Sequence, residues 1–200
     1  MRILLIGSSG TLGKEVAKCL REYHCDLIEA NRSSGDYTVD ISLPESIESL
    51  FQEVGAVDAI ICTAGEVRVT PIAEMTLEDN MIAVQSKLLG QINLVLIGQK
   101  FLNSHGSITL TTGVTKDDPI VGGASGAMAN GAIAAFVKSA AVDMQGKARI
   151  NCVSPTIVDE SFVKYQESYA GFISIPASRA AQGYIKSVFG GQTGQEYQYY

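Results

Sequence analysis

The sequence predicts an α/β fold: a doubly wound parallel sheet of about seven strands with helices on both faces. Three observations carry that prediction. Short apolar runs alternate with amphipathic stretches, the runs are apolar on both faces, and the first run ends in a glycine-rich turn. The 200 residues suit one domain covering 1–200, large enough for a single substantial core. With 46% hydrophobic and 18% charged residues the chain is composed as a folded globular protein, and no uninterrupted apolar run is long enough to cross a bilayer. A formal charge of -6 with no basic block disfavours nucleic acid as the main partner, because neutralising phosphates needs clustered Lys and Arg.

RILLI (2–6) reads as a buried strand, and TLGKEVAKCLRE (11–22) carries apolar residues at helical spacing. DLIEA (26–30) is the second strand. SLPESIESLFQEV (42–54) reads as a helix, with Ser42 as N-cap and Pro44 in the first turn, where its missing N–H is tolerated. VDAIICT (57–63) is a strand, followed by one long helix over 78–102. GSITLTT (106–112), ARINCVS (148–154) and QEYQYY (195–200) are the remaining strand runs, with helices over 124–145 and 177–188. No repeat or linker interrupts this order. The tract PTIVDESFVKYQESYAGFISIP (155–176) is too polar for core and reads as a substrate loop or lid after a strand end, where open α/β sheets bind ligands.

Cys19, Cys25, Cys62 and Cys152 show neither C-x-x-C spacing nor a histidine cluster. Reduced thiols are expected, with no disulfide and no metal site. His24 and His105 stand alone beside helix ends, as capping or surface residues. The opening MRILLIG is too short an apolar run for a signal peptide, so a cytoplasmic location without membrane attachment is expected.

ILLIGSSGTLG places Gly7, Gly10 and Gly13 between the first strand and the first helix, with Ser8, Ser9, Thr11 and Leu12 completing the turn. Such a turn lets the backbone approach a pyrophosphate and aims helix-end N–H groups at it, so a Rossmann-type dinucleotide site is expected. The second strand ends in Asn31-Arg32-Ser33-Ser34, where a binder of NAD offers Asp or Glu to the ribose diol. An acid there would repel a ribose phosphate. Arg32 would pair with one, and Asn31 and Ser33 could donate hydrogen bonds to it, so NADP(H) is expected in preference to NAD(H).

Over nearly its full length the chain resembles the short-chain dehydrogenase/reductase family. Gly7-x-x-Gly10-x-x-Gly13 resembles the spacing of the family's extended and atypical branches. Asp40-Ile41 is similar to its acidic residue after the third strand, which hydrogen-bonds adenine. Thr63-Ala64-Gly65 is similar to the tail of its Asn-Asn-Ala-Gly motif at the fourth strand. The run Arg149 to Pro155 resembles the R-x-N-x-x-x-P that leads to the nicotinamide, and Thr193-Gly194-Gln195 resembles the T-G-Q before the last strand. Thr156 stands where the family has glycine, which leaves a backbone contact from Ile157 in place.

The resemblance also implies a catalytic set, and here the chain departs from it. The family reduces carbonyls with a serine after the fifth strand and a Y-x-x-x-K pair on the next helix: tyrosine gives the proton, lysine lowers its pKa and holds the ribose, serine orients the carbonyl. Aligned on NGAIAAFVKSAA, the tyrosine position is Gly126 and the lysine position is Asn130. The serine position falls on Gly113, with Thr112 one residue earlier as a substitute donor. No tyrosine lies between Tyr37 and Tyr165, so no shift of register restores the pair. The family's asparagine on the preceding long helix is Lys87, in SKLLG (86–90).

Three readings stay open on the sequence. Lys87 replaces the missing lysine and acts as acid if burial depresses its pKa; the lid supplies Lys164, Tyr165 or Tyr169; or the protein is a non-catalytic NADP(H)-binding sensor or subunit. An oxidoreductase acting on a small carbonyl or alcohol ranks first. The small residues of GGASGAMANGA (122–132) leave room beside the nicotinamide, or let another backbone come close. AIAAFVKSAAV and LLGQINLVLIG are too apolar all round for a monomer surface, and the resemblance implies a homodimer or homotetramer built on those two helices.

Overall fold

The computed structural model describes residues 1–200. Its seven strands form one sheet in the order β3-β2-β1-β4-β5-β6-β7, and every neighbouring pair is parallel. The strands are β1 (Arg2–Ile6), β2 (Asp26–Asn31), β3 (Tyr37–Thr38), β4 (Val57–Cys62), β5 (Leu102–Thr111), β6 (Arg149–Pro155) and β7 (Glu196–Tyr199). Chain order reverses between β1 and β4, so the crevice at the carboxyl ends of those strands is the place where a doubly wound sheet binds ligands.

β1 explains why the sheet is covered twice. Ile3 and Leu5 face α1 (Thr11–Arg21) and α7 (Ala177–Phe189), in a core with Val16, Leu20 and Tyr184. Leu4 and Ile6 face the other way, into a larger core with Phe51 of α2 (Pro44–Val54), Leu94 of α4 (Gly90–Gly98) and Ile133 of α5 (Ala124–Asp143). Alternate side chains of one strand thus enter two different cores, which only a strand apolar on both faces can do.

The expected long helix is continuous over Leu77–Phe101 but is not uniform. It begins as α3 (Leu77–Ile82), passes through a π-helical segment over Ala83–Leu89, and resumes as α4. By length and composition it could cross a bilayer. One face of it packs on the sheet: Leu94 and Val95 are buried in the larger core, and Gly98 lies close against Phe51 and Ile60, while Leu77, Met81, Leu89 and Leu96 are exposed.

Other boundaries shift for local reasons. Ser42 does not cap α2; Leu43 holds that position, and the Ser42 hydroxyl donates to Asp40 Oδ1 at 2.6 Å. The tract 155–176 contains a short helix, α6 (Asp159–Tyr165), inside the loop that the bridge between Val158 and Ile175 closes. His24 and His105 both adopt left-handed backbone, at φ 50° and 63°; both are exposed, His24 in the turn after α1 and His105 inside the first half of β5. All four cysteines are free, with Cys62 and Cys152 buried and held as thiols by burial that pushes each up to about 12.

Candidate active site

The glycine turn is fixed by contacts that tolerate no side chain. Gly7 has φ +91°, and a Cβ on it would meet the Ala64 nitrogen at 2.7 Å. A Cβ on Gly13 would press into the Gly7 carbonyl oxygen, so α1 starts directly against the end of β1. Thr63 Oγ1 donates to the Gly7 carbonyl at 3.0 Å and ties the turn to the end of β4. Asn31 braces it from the other side: its Oδ1 accepts the Ser9 N–H at 2.9 Å and its Nδ2 donates to Ser8 Oγ at 3.0 Å. Asn31 is therefore a support of the loop as well as part of the cleft wall, with one Nδ2 N–H engaged at Ser8.

Beyond the turn lies a cleft of about 340 Å³, lined by Gly7, Ser9, Gly10, Asn31, Arg32, Ile41, Thr63, Ala64 and Gly65 among others. Arg32 reaches across its mouth, with Nε 3.5 Å from Asp40 and Nη1 3.6 Å from Glu66. Both contacts are longer than a good charge-assisted hydrogen bond, and the side chain is 61% exposed, so it can turn toward an incoming anion. Asp40 is held below the usual carboxylate range chiefly by its hydrogen bond from Ser42, with Arg32 adding to the effect. Ser33 is exposed and does not line the cleft. Sequence reasoning passed over Glu66 and Ser86, which complete the wall; Ser86 Oγ accepts the Glu66 N–H at 3.0 Å.

Through Gly65 this cleft continues into a second cavity of about 290 Å³. Thr11 and Leu12 enter it from the start of α1; Pro155, Thr156, Ile157 and Val158 enter it from the end of β6. Lys87 enters from the π-helical segment. In that segment Ser86 lines the first cleft and Lys87 the second, and π segments of this kind concentrate at functional sites. Gly65 is the matching concession: a Cβ on it would lie 2.7 Å from Lys87 Cδ. No hydrogen bond or ion pair forms at Lys87 Nζ, and burial pushes its amine down to about 8.

Asn130 and Gly126 line the same cavity from α5. Val67 packs over Gly126, 3.7 Å from where its Cβ would be, and so takes part of the space a larger residue would fill. Asn130 Nδ2 donates to Thr115 Oγ1 at 3.1 Å, while its Oδ1 is buried without a partner. Thr112 also lines the cavity, but its hydroxyl is turned to β6 and β7, 3.3 Å from the Val153 carbonyl and 3.2 Å from Glu196 Oε1. Lys116 pins that carboxylate at 2.9 Å. The expected second donor is thus committed elsewhere, because its partners come from strands remote in sequence. Thr115, which sequence reasoning missed, is better placed: its oxygen accepts from Asn130 and its own proton is free.

Of the lid residues, Tyr165 and Tyr169 reach the cavity wall and Lys164 does not; Lys164 is exposed and stacks over the Tyr165 ring at 5.0 Å. The two cavities fit a nicotinamide dinucleotide on structural grounds. Gly10 lies on the first cleft with only the Gly7 carbonyl oxygen, at 3.4 Å, near its Cβ position, which leaves room for a pyrophosphate at the turn, and the orphaned Asn130 acceptor suits a ribose hydroxyl.

A family model described as enoyl-(acyl carrier protein) reductase matches residues 4–185. The protein lin1944 from Listeria innocua, known as a crystal structure, is 52% identical over 100% of both chains, with a TM-score of 0.97. A small-chain dehydrogenase crystallised in complex with NADPH is 25% identical over 99% of this chain and 95% of its own, with a TM-score of 0.88. A glucose/ribitol-type short-chain dehydrogenase/reductase from Brucella melitensis shares the fold at 18% identity, over 98% and 93% of the two chains, with a TM-score of 0.86. Among curated proteins none matches the sequence.

Proposed function

The chain belongs to the short-chain dehydrogenase/reductase family, and on that premise we propose that it is an NADP(H)-dependent oxidoreductase whose proton donor is Lys87. Its substrate is a small carbonyl compound or the matching alcohol. One observation carries the reading: an unpaired amine with a depressed pKa lies on the wall of the cavity that continues the glycine-turn cleft.

The residues divide the work by position. Backbone N–H groups of the turn from Gly7 to Gly13 hold the pyrophosphate, with Ser8, Ser9, Thr11 and Leu12 shaping the approach. Thr63, Ala64, Gly65 and Ile41 enclose the adenosine half, with Asp40 behind them against Arg32, and Pro155 and Ile157 border the nicotinamide half. When bound, NADPH supplies the hydride. Asn130 Oδ1 accepts from the ribose, Thr115 donates to the substrate oxygen, and the Lys87 ammonium gives that oxygen its proton. Val158 and Ile157 keep water from the reacting face. Turnover of a panel of small aldehydes and ketones, followed by NADPH absorbance, tests the reading; no turnover by wild type removes it.

Arg32 is the basis for the cofactor preference. One charge-assisted phosphate contact is worth about 1.5–3 kcal/mol, so NADPH should bind at least roughly tenfold more tightly than NADH. Fluorescence titration of both cofactors is the measurement. Equal affinities, or an Arg32→Ala variant that keeps its preference, contradict the assignment.

The assembly is proposed as a dimer or tetramer through α4 and α5. Leu96 and Val142 are exposed on these helices at 49% and 71%, and Leu96 and Phe136 border a shared groove. Apolar faces of this extent call for a cover. Sedimentation at micromolar concentration is expected to give a multiple of 21.2 kDa; a lone monomer is the contrary result. One observation favours a second reading, a binder without turnover: Gly126, at the family's tyrosine position, offers no acid.

A further inference from the structure

The charges around the second cavity go against the character of the chain. Across the sequence acids outnumber Lys and Arg by 21 to 15. Yet of the 21 residues lining this cavity two are cations, Arg68 and Lys87, and none is Asp or Glu. We propose that the substrate is an anion: a small oxo acid, or the corresponding hydroxy acid, whose carboxylate pairs with Arg68 while its carbonyl faces Lys87. The proposal rests on the oxidoreductase reading above and names the substrate class for that site.

Neither cation is held in a hydrogen-bonded pair. Lys87 Nζ has no acceptor. Arg68 comes no nearer to a carboxylate than 3.7 Å, from Asp79, outside hydrogen-bond range. The side chain of Asp79 is anchored through Oδ2, which closes the capping box at the start of α3 by accepting from the Thr76 backbone and hydroxyl, so only Oδ1 faces Arg68 and the pair stays loose. Arg68 is 58% exposed at the cavity mouth, so it can swing onto a ligand without breaking a strong pair. Val67, Val69, Ile120 and Val158 form the rest of that wall and suit a short aliphatic chain. An anion in this space also favours the ammonium form of Lys87, so the substrate that binds best is the one that keeps the proton donor charged.

The reaction balances with the cofactor of the proposed function. Hydride from NADPH bonds to the carbonyl carbon as the C=O π pair moves to oxygen. Lys87 gives that oxygen its proton, and the products are a hydroxy acid, NADP⁺ and a neutral lysine that regains its proton from water.

The test uses the full-length protein with NADPH and a series of short α-oxo and β-oxo acids, each beside its methyl ester. At least one acid is expected to exceed its ester in kcat/KM by roughly tenfold or more, the scale of one charge-assisted contact. Arg68→Gln is expected to collapse that acid-to-ester ratio, and Arg68→Lys to restore part of it. Esters turned over as well as acids would overturn the anionic substrate while leaving the oxidoreductase reading intact. Absence of turnover with every carbonyl would remove the oxidoreductase reading. Calorimetric titration of oxamate into the NADPH complex then decides the anion site separately: binding that Arg68→Gln abolishes supports it, and no binding overturns it.

Discussion

Lys87→Met is expected to lose carbonyl reduction by roughly 10² or more while gaining thermal stability. The first effect is the size of one general-acid contribution. The second follows from what the amine costs the fold. Its pKa is pushed from 10.5 to about 8 by burial. Below pH 8 both folded and unfolded chains hold the proton, and the buried charge costs its full amount. At 1.36 kcal/mol for each pKa unit that is up to about 3 kcal/mol, less whatever the partly open cavity wall returns to solvent. Between pH 8 and 10.5 the unfolded chain still binds the proton and the folded chain does not, so stability of the wild type rises with pH across this window. The advantage of Lys87→Met should therefore be largest near neutrality and fade by about pH 10.5. Activity should carry the same pKa. Reduction by wild type falls as pH passes about 8, alcohol oxidation rises over the same interval, and Lys87→Met loses both inflections. A variant as active as wild type would transfer the role to Tyr165 and Tyr169; one that is inactive and less stable would make Lys87 a structural residue.

Gly13→Ala is expected to abolish cofactor binding and destabilise the protein together. The added methyl would press into the Gly7 carbonyl oxygen and lie 2.8 Å from Gly7 C and 2.9 Å from Ser8 Cα. Every obstacle is backbone, so no side chain can rotate away; β1 and α1 must separate. Overpacking of this kind costs about 1–3 kcal/mol, and the displaced turn loses its aim at the pyrophosphate. Gly10→Ala is the informative companion. Its Cβ meets only the Gly7 carbonyl oxygen, at 3.4 Å, so the apoprotein should melt close to wild type while NADPH affinity still falls, because the methyl occupies the space the phosphate approaches. Melting curves and NADPH titrations of the two variants separate the roles. Gly10→Ala binding NADPH as well as wild type would move the pyrophosphate off this turn.

The fold and the glycine turn were legible because their signals are local. Alternating apolar runs, glycines at fixed offsets after RILLI, and the two-faced character of β1 all sit within a few residues of one another. The features that escaped depend on contacts far along the chain or on hydrogen bonding without a period of its own. A π-helical turn keeps the composition of an ordinary helix, so nothing in AVQSKLL announces it, nor that Ser86 and Lys87 line two different cavities. Asn31 also braces the glycine turn through Ser8 and Ser9, more than twenty residues earlier, a role that its neighbour Arg32 does not announce. Thr112 is claimed by Glu196 from the last strand, which leaves Thr115 as the hydroxyl facing Asn130. Ser42 reads as a helix cap and instead steadies Asp40.

The central claim is that this cavity performs hydride transfer with the cofactor it binds. Transfer of deuterium from NADPH labelled at nicotinamide C4 to the carbinol carbon of the product, read by mass spectrometry, tests it most directly. The account predicts label in the product with wild type and at least roughly a hundredfold slower labelling with Lys87→Met. Tight binding of NADPH with no label in any product, across the oxo acids and the neutral aldehydes and ketones, would contradict it.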